Sequence, residues 1–199
     1  MKRVIILVVA AITLNCTEAA AQKWLDALKS TASAAIDKVT GGKLTEKGII
    51  GTWSYKQPGV KLSSSDTLSE LAASAASSTI QSKLATYYTK VGIKAGACSF
   101  VFNEDGTFTS KFGQKAANGT YTFDASTYQL SLKYNSGLLN LGAIPAYAYM
   151  NGTNLQIVFP MDKLLTILTS LGSSIDSLST ITTLLKQYDS VKIGFEFAK

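Results

Sequence analysis

Residues 100–159 constrain the fold most, because they alternate apolar and polar side chains in short runs. Turn-forming residues interrupt these runs at Asn103-Glu104-Asp105-Gly106, Ala117-Asn118-Gly119 and Asn151-Gly152-Thr153. A period of two places alternate side chains on opposite faces of a strand, and short polar turns join neighbouring strands into hairpins. The pattern therefore predicts an antiparallel up-and-down meander that can close into a small β-barrel.

Strand patterns also lie on both sides of this stretch. A first strand is predicted at residues 51–55, and Pro58-Gly59 is expected to end it, since proline cannot donate to a strand ladder. From Val191 to Phe197, apolar residues alternate with Lys192, Gly194 and Glu196. This pattern predicts a closing strand that would remove the open edges of the meander.

Three segments have helical patterns. Residues 22–42 carry apolar side chains at helical spacing, and Gly41-Gly42 is expected to end that helix. We expect it to pack outside the barrel or across its open end; a helix lying on a membrane surface is the alternative. Helical insertions are predicted at about 66–93 and 160–188.

Each insertion has its own internal signals. Thr67-Leu68-Ser69-Glu70 has the form of a capping box, so a helix is expected to start there. The serine- and threonine-rich residues 77–79 predict a break in it, because these residue types weaken helix propensity. In the second insertion Gly172 separates two short amphipathic pieces, which predicts a helix pair rather than a coiled coil.

The first 21 residues have the composition of a targeting segment. A basic start is followed by an apolar run at 4–14 and by Ala19-Ala20-Ala21, so residues 1–21 are predicted to be a signal peptide that is removed. The alternative is acylation of Cys16, as in a lipoprotein. The first interpretation predicts a periplasmic or extracellular protein, and the second an outer-membrane lipoprotein. The apolar run is too short for a membrane span.

The charge pattern argues against a nucleic-acid partner. The whole chain has a net charge of +6, and loss of Lys2, Arg3 and Glu18 with residues 1–21 leaves +5 with no arginine. The remaining lysines are scattered, whereas nucleic-acid sites cluster Arg and Lys beside aromatic residues. We expect the positive charge to serve solubility.

Catalytic and metal-binding motifs are absent from the sequence. It contains no histidine, no nucleophile elbow, no phosphate-binding glycine loop and no CxxC or HExxH. Glu104 and Asp105 precede a hairpin glycine, so they are interpreted as turn residues rather than as catalytic or calcium ligands. Cys98 is predicted to be a small buried hydrophobe, with a reactive thiol as the alternative. We therefore expect no enzyme activity, no metal and no cofactor.

The first strand suggests a family. Gly51-Thr52-Trp53, the hairpin meander and the final strand together resemble the lipocalin and calycin barrels, over roughly residues 51–198. More closely, the chain resembles the lipocalin-like secreted proteins of unknown function from Bacteroides-type bacteria. The resemblance implies a mainly β fold with helical insertions: an antiparallel up-and-down lipocalin-like β-barrel decorated by α-helices, over residues 43–199. It also implies that Trp53 plugs one end, while the helices cap or fill the mouth.

Aromatic side chains on the predicted strands are the candidate site residues. They either fill a solid core or line a cavity for an apolar ligand. The candidates are Trp53, Phe100, Phe102, Phe108, Tyr121, Phe123, Tyr134, Tyr147, Tyr149 and Phe195. The leading hypothesis is non-catalytic binding of a small hydrophobic ligand in the barrel. The alternative is a structural or protein-interaction module with a filled barrel, whose protein partner the sequence does not identify.

Overall fold

The structure, a computed structural model, describes residues 36–62, 67–137, 142–172 and 191–199, with the backbone alone for residues 62, 67–76, 136 and 137. The elements in chain order are α1 (Lys43–Gly48), β1 (Gly51–Leu62), α2 (Thr67–Lys90), β2 (Cys98–Phe102), β3 (Thr107–Phe112), β4 (Lys115–Asp124), β5 (Gln129–Gly137), β6 (Ala143–Asn151), β7 (Asn154–Phe159), α3 (Met161–Ser170) and β8 (Val191–Ala198). The predicted signal peptide, Cys16, most of the N-terminal helix and the second piece of the last insertion lie outside the described residues.

The eight strands form a closed barrel in which each strand pairs with its neighbour in sequence. All pairs are antiparallel, and β8 pairs with both β7 and β1. Ser54 of β1 lies opposite Ala198, and Leu155 of β7 lies opposite Phe197. The predicted meander and its closing strand are therefore confirmed.

The expected end of the first strand at Pro58-Gly59 is wrong. β1 continues to Leu62 and pairs with β8 along this length, with a register shift between Tyr55 and Gln57. β2 pairs with β1 only from Gly51 to Ser54, so the strand has no β2 partner at Pro58. Because that side needs no ladder hydrogen bond, a residue without an N–H is tolerated there.

The predicted turn at Ala117-Asn118-Gly119 is also wrong, whereas those at 103–106 and 151–153 are confirmed. Residues 117–119 lie inside β4, and the chain turns at Gly113 instead. The ladder between β4 and β5 shifts register between Asn118 and Gly119. A Cβ at Gly119 would overlap the Lys133 carbonyl, so this glycine permits a close strand approach rather than a turn.

Helix α2 starts at Thr67, as predicted, but runs to Lys90 without the expected break at 77–79. Ile80 and Leu84 are fully buried, so tertiary packing outweighs the weak local propensity. Hydroxyl groups in the helix also donate to carbonyls one turn earlier, as Ser82 does to Ser78 at 3.0 Å. Within the described ranges, the search for a helix long and apolar enough to cross a membrane finds none.

The two ends of the barrel are built differently. Successive strands alternate in direction, so the connections that contain α2 and α3 both lie at one end, named here the helix-covered end. Helix α2 packs against β1, and α3 packs against β7 and β8. The Lys115 Nζ donates to the Ser170 carbonyl at 2.7 Å, which ties the last turn of α3 to the start of β4.

The opposite end, named here the Trp53 end, is closed by the segment before β1. Residues 36–39 are helical, and Gly41 and Gly42 end that helix, as predicted. The Asp37 carboxylate accepts hydrogen bonds from the Thr45 N–H at 3.0 Å and from the Thr45 hydroxyl. That hydroxyl oxygen in turn accepts from the Met150 N–H at 3.0 Å. These bonds fix the segment and α1 against β6.

Candidate functional site

Near the Trp53 end the barrel interior is packed with aromatic rings. The ring centroids of Phe100 and Phe102 are 5.4 Å apart, and that of Phe108 lies 6.1 Å from both. Phe100 also meets Phe197 edge-on at 5.4 Å, and Phe108 meets Tyr134 at 5.0 Å. The candidates Phe100, Phe102 and Phe108 are thus brought together as a packed core.

Two further candidates at this end make hydrogen bonds within the fold. The Trp53 side chain is fully buried, and its Nε1 donates to the Ile49 carbonyl at 2.7 Å. The Lys199 Nζ lies 4.8 Å from the Trp53 ring centroid. The Tyr121 hydroxyl donates to the Asn103 carbonyl at 2.8 Å, and Phe123 on the same strand is half-buried. These side chains close the end of the barrel.

Tyr147 and Tyr149 do not line the interior, so their assignment to a cavity is wrong. Ala146 and Ala148 alternate with them on β6 and are fully buried, which places the tyrosines on the outer face. The Lys192 Nζ lies 4.5 Å from the Tyr147 ring centroid on that face. Alternation separates the two faces of a strand but does not say which face is inside, and here the alanines are the buried residues.

Ser110 is an interior residue that the sequence interpretation missed. It lies between Phe108 and Phe112 on β3, points to the same side, and is only 3% exposed. Its Oγ lies beside the Tyr134 hydroxyl, although the contact falls outside the usual hydrogen-bond geometry. The period of two that places Phe108 and Phe112 inside the barrel also places Ser110 there, so the signal was present in the sequence.

Ser110 has rings on the β2 and β3 sides, with Phe100 opposite it on β2 and Phe108 and Phe112 beside it on β3, and small residues on the β4 side. Ser110 lies opposite Ala117 on β4, and Gly119 lies opposite Tyr134 on β5. Burial raises the pKa of Tyr134 to about 12, against a smaller lowering by the Ser110 hydroxyl beside it. The Tyr134 hydroxyl is therefore protonated at neutral pH. We name these four residues, Ser110, Ala117, Gly119 and Tyr134, the Ser110 region.

The other side of the helix-covered end is filled by rings. The candidate Phe195 lies 5.4 Å from Phe112, 6.0 Å from Phe159 and 5.3 Å from Tyr88, measured between ring centroids. Tyr88 belongs to α2, and its hydroxyl donates to the Gly194 carbonyl at 3.1 Å. This helix thus packs an aromatic side chain against the rings of Tyr55 on β1 and Phe195 on β8.

The interior contains hydroxyl groups but no buried charge among the described residues. The buried polar or charged residues are Asp37, Thr45, Ser110, Gln156 and Glu196. The first two belong to the segment at the Trp53 end, and the last two alternate with inward-facing residues of β7 and β8. Ser110 is therefore the one member of this set that faces the interior.

Glu196 forms a polar cluster on the outer face of the barrel. Its carboxylate is 2% exposed and accepts hydrogen bonds from four side-chain amides. Gln57 and Asn154 donate to Oε1 at 3.1 and 2.8 Å, and Asn151 and Gln156 donate to Oε2 at 3.3 and 3.4 Å. The cluster joins strands β1, β6, β7 and β8.

The contacts of Cys98 and of the first hairpin turn indicate structural roles. Cys98 is 2% exposed, and burial raises the pKa of its thiol, as expected for a small buried hydrophobe. Asp105 accepts from the Thr107 N–H at 2.9 Å and from its hydroxyl at 2.6 Å, which is the turn chemistry predicted for it. Over the described residues, no group of three or more His, Cys, Asp or Glu side chains is placed to hold a metal ion.

Comparisons with known proteins identify the family. A family model described as a lipocalin-like domain (DUF4923) matches residues 25–199. A solved structure of a duf4847 family protein from Bacteroides vulgatus ATCC 8482 is similar at 16% identity, covering 78% of this chain and 96% of that one, with a TM-score of 0.39. No curated protein matches the chain. Because the family model spans most of its length, the chain belongs to this lipocalin-like domain family.

Proposed function

We propose that this protein is an exported, non-catalytic binding protein that holds a small, largely apolar molecule in the Ser110 region of its barrel. One observation carries the proposal: two hydroxyl groups, those of Ser110 and Tyr134, lie side by side in the barrel, and Ser110 is only 3% exposed. A hydroxyl can donate one hydrogen bond and accept others, so the pair could also bind a polar atom of a ligand. Alanine and phenylalanine at these two positions would suffice in a barrel that is only packed.

One small neighbour of Ser110 supports this location. Ala117 lies opposite Ser110 on β4 and is buried, whereas the rings of Phe100, Phe108 and Phe112 lie on the β2 and β3 sides. Helix α3 extends from β7 and β8 to its contact with Lys115 on β4, so it lies across this end. A ligand would enter here, because a packed helix is displaced more easily than a strand of a closed barrel.

Binding is proposed rather than turnover because the Ser110 region lacks a general base. Its two polar groups are hydroxyls, and burial keeps the Tyr134 hydroxyl protonated at neutral pH. The sequence has no histidine to activate either group. Export is proposed from the basic start, apolar run and small residues of positions 1–21, with acylation of Cys16 as the alternative route to the cell envelope.

A filled barrel with a function on its outer surface is the second candidate. The contacts of Phe195 with Phe112, Phe159 and Tyr88 favour it, because they extend the packed core to the helix-covered end. In that case the Ser110 region would be closed as well, and the protein would act through a protein partner.

Two neighbouring alanines on β4 provide a matched test. Ala117 faces the interior, whereas Ala116 is exposed on the outer face. If the Ser110 region binds an apolar molecule, Ala117→Phe should weaken binding of the neutral fluorophore N-phenyl-1-naphthylamine by about tenfold or more, while Ala116→Phe should change it less than about twofold. Fluorescence titration of the two variants and the wild type measures this difference.

The same variants separate the two candidates by stability. In a filled barrel Ala117→Phe would overpack the core and lower the free energy of unfolding by about 1–3 kcal/mol. With room for a ligand it would leave that free energy unchanged or raise it. An absence of saturable fluorophore binding, together with an Ala117→Phe variant destabilised in urea, would overturn ligand binding and favour the filled barrel.

A further inference from the structure

The polar cluster around Glu196, on the outer face of the barrel, holds a buried negative charge. The carboxylate is 2% exposed, and its four side-chain donors are neutral amides. Among the described residues the ion pairs lie within α1 and within α3, so no ammonium group of these residues neutralises Glu196. Burying an anion is unfavourable unless a cation compensates its charge. A cation beside this carboxylate would therefore be stabilising.

Strand register brings the side chains of the cluster to one place. Gln57 on β1 and Gln156 on β7 lie directly opposite Glu196, one on each neighbouring strand. Asn154 precedes Gln156 by two residues on β7 and is paired with Asn151 on β6. The period of two keeps all of them on the same outer face. Four strands thus contribute one carboxylate and four amides to a single array.

Each amide of the cluster carries an oxygen as well as the nitrogen that now donates. Rotation by about 180° about the last side-chain bond exchanges the two atoms and keeps the shape of the side chain. The carboxylate and the rotated amides would then present oxygen atoms to one ion. Ca²⁺ takes about six to eight oxygen ligands, which include carboxylate and Asn or Gln oxygens, at about 2.3–2.6 Å. Mg²⁺ requires shorter distances and keeps several waters, so the array suits it less well.

The spacing of the cluster matches such a coordination shell. The amide nitrogens of the cluster lie 2.8–3.4 Å from the carboxylate oxygens. Two ligand atoms at about 2.4 Å from one ion, about 75–90° apart, are separated by about 2.9–3.4 Å. Gln57 is exposed and Asn151 and Asn154 are half-buried, so an ion can reach the carboxylate from this side.

We propose that the Glu196 cluster is a Ca²⁺ site, in which the ion is held by the carboxylate and by rotated amide oxygens. The site lies on the outer face, so it is independent of the ligand proposed for the barrel. The sequence shows no calcium loop because these ligands come from four strands rather than from one segment. One charged ligand among neutral ones predicts weak binding, with a Kd of about 0.1–1 mM, since calcium affinity depends on ligand charge.

Urea unfolding of the intact protein at neutral pH and constant ionic strength tests the site. Calcium chloride at about 10 mM should raise the urea midpoint by about 1 M relative to EDTA, because an ion that binds only the folded state stabilises it. Magnesium chloride at the same concentration should raise it less than about half as much. The dependence of the midpoint on calcium concentration gives the Kd.

Two pairs of variants locate the effect. Glu196→Gln should abolish the calcium-dependent rise, whereas Glu104→Gln at the exposed turn should keep it. If Glu196→Gln does not fold, Gln57→Ala at the exposed edge of the cluster decides the matter. It should weaken calcium binding about fivefold, the effect of one polar contact, while Gln129→Ala at an exposed position of β5 should not.

Two results would overturn the proposal. If calcium and magnesium raise the midpoint equally in the wild type and in either cluster variant, the ions act by general screening and the cluster is only a hydrogen-bond network. If calcium leaves the wild-type midpoint unchanged, the cluster does not bind it. Neither result involves the fluorophore titration, so failure of this site is distinguishable from failure of the proposed function.

Discussion

At the scale of single residues, the buried Glu196 carboxylate determines how its neighbours are oriented. A carboxylate only accepts hydrogen bonds, so the amides of Gln57, Asn151, Asn154 and Gln156 must all turn their nitrogens towards it. The four side chains come from strands that surround β8, and their common acceptor holds them in one arrangement.

Replacing the Glu196 carboxylate should lower the free energy of unfolding even when the new side chain has the same shape. In Glu196→Gln one carboxylate oxygen becomes an N–H donor that faces donors, so we expect the free energy of unfolding to fall by about 1–3 kcal/mol. Urea unfolding at neutral pH measures the change. Glu104→Gln, an exposed turn position, is the matched control and should have little effect. Equal stability of the two variants would mean that the amides reorient at no cost.

The candidate site could be predicted from the sequence only in part, and Tyr147 shows why. Alternation predicted correctly that Tyr147 and Tyr149 share a face and that Ala146 and Ala148 share the other. The choice of the aromatic face as the interior was wrong, because Ala146 and Ala148 are the fully buried residues of this strand. Ser110 was overlooked for the converse reason: attention went to large side chains, although its position between two phenylalanines marks it as interior.

At the scale of elements, β7 and β8 approach each other so closely that only glycine fits at one position. A Cβ on Gly194 would overlap the Ile157 carbonyl and lie 2.9 Å from the Val158 Cα. Both contacts are with backbone atoms, which cannot rotate away as a side chain can. The close approach also directs the Gly194 carbonyl to the Tyr88 hydroxyl.

Gly194→Ala should therefore separate β7 from β8 and destabilise the barrel. We expect a loss of about 2 kcal/mol or more, the upper range for overpacking. Gly113→Ala provides the control, since its Cβ would meet nothing within 4 Å and its positive φ of 62° should cost only about 1 kcal/mol. Thermal and urea unfolding compare the two. A Gly194→Ala variant no less stable than Gly113→Ala would contradict the close approach.

The strands were predictable because each one places one face inside the barrel. The wrong predictions fall on residue types that usually mark a turn or a strand end but that lie here within paired strands. Pro58 signals a strand end but lies where β1 has no β2 partner, and Asn118-Gly119 signals a hairpin but permits a close approach of β4 and β5. Helix α1 was not predicted, since six residues carry too little periodicity. In each case contacts distant in sequence decided the outcome.

At the scale of the whole molecule, buried tyrosines predict how stability depends on alkaline pH. Burial raises the pKa of Tyr134 to about 12 and raises that of Tyr88 as well. In the unfolded chain a tyrosine has a pKa of about 10. Because the folded pKa is raised, the tyrosine contribution to stability is complete below pH about 10 and is lost as pH rises through the folded pKa.

We therefore expect the free energy of unfolding to hold up to pH about 9.5 and then to fall steeply between pH about 10 and 12. Urea unfolding across this range measures the fall, and absorbance near 295 nm should show a late group of tyrosines ionising together with unfolding. Tyr134→Phe should make the fall shallower than in the wild type. The same slope in Tyr134→Phe and the wild type would contradict the prediction.

The overall architecture was the most predictable level, because seven alternating segments and the final strand leave few topologies open. The position of both helical insertions at one end also follows from alternation of strand direction. How the interior is filled could not be predicted, since it depends on how side chains from all eight strands share one space.

The pairing of β1 with β8 has a consequence for how the molecule forms. Ser54 lies opposite Ala198, so the first strand of the barrel completes its ladder only with a strand from the far end of the chain. Such a topology has a high contact order, which slows folding. On the ribosome, β1 must wait until β8 has been synthesised, so the barrel stays open until that point.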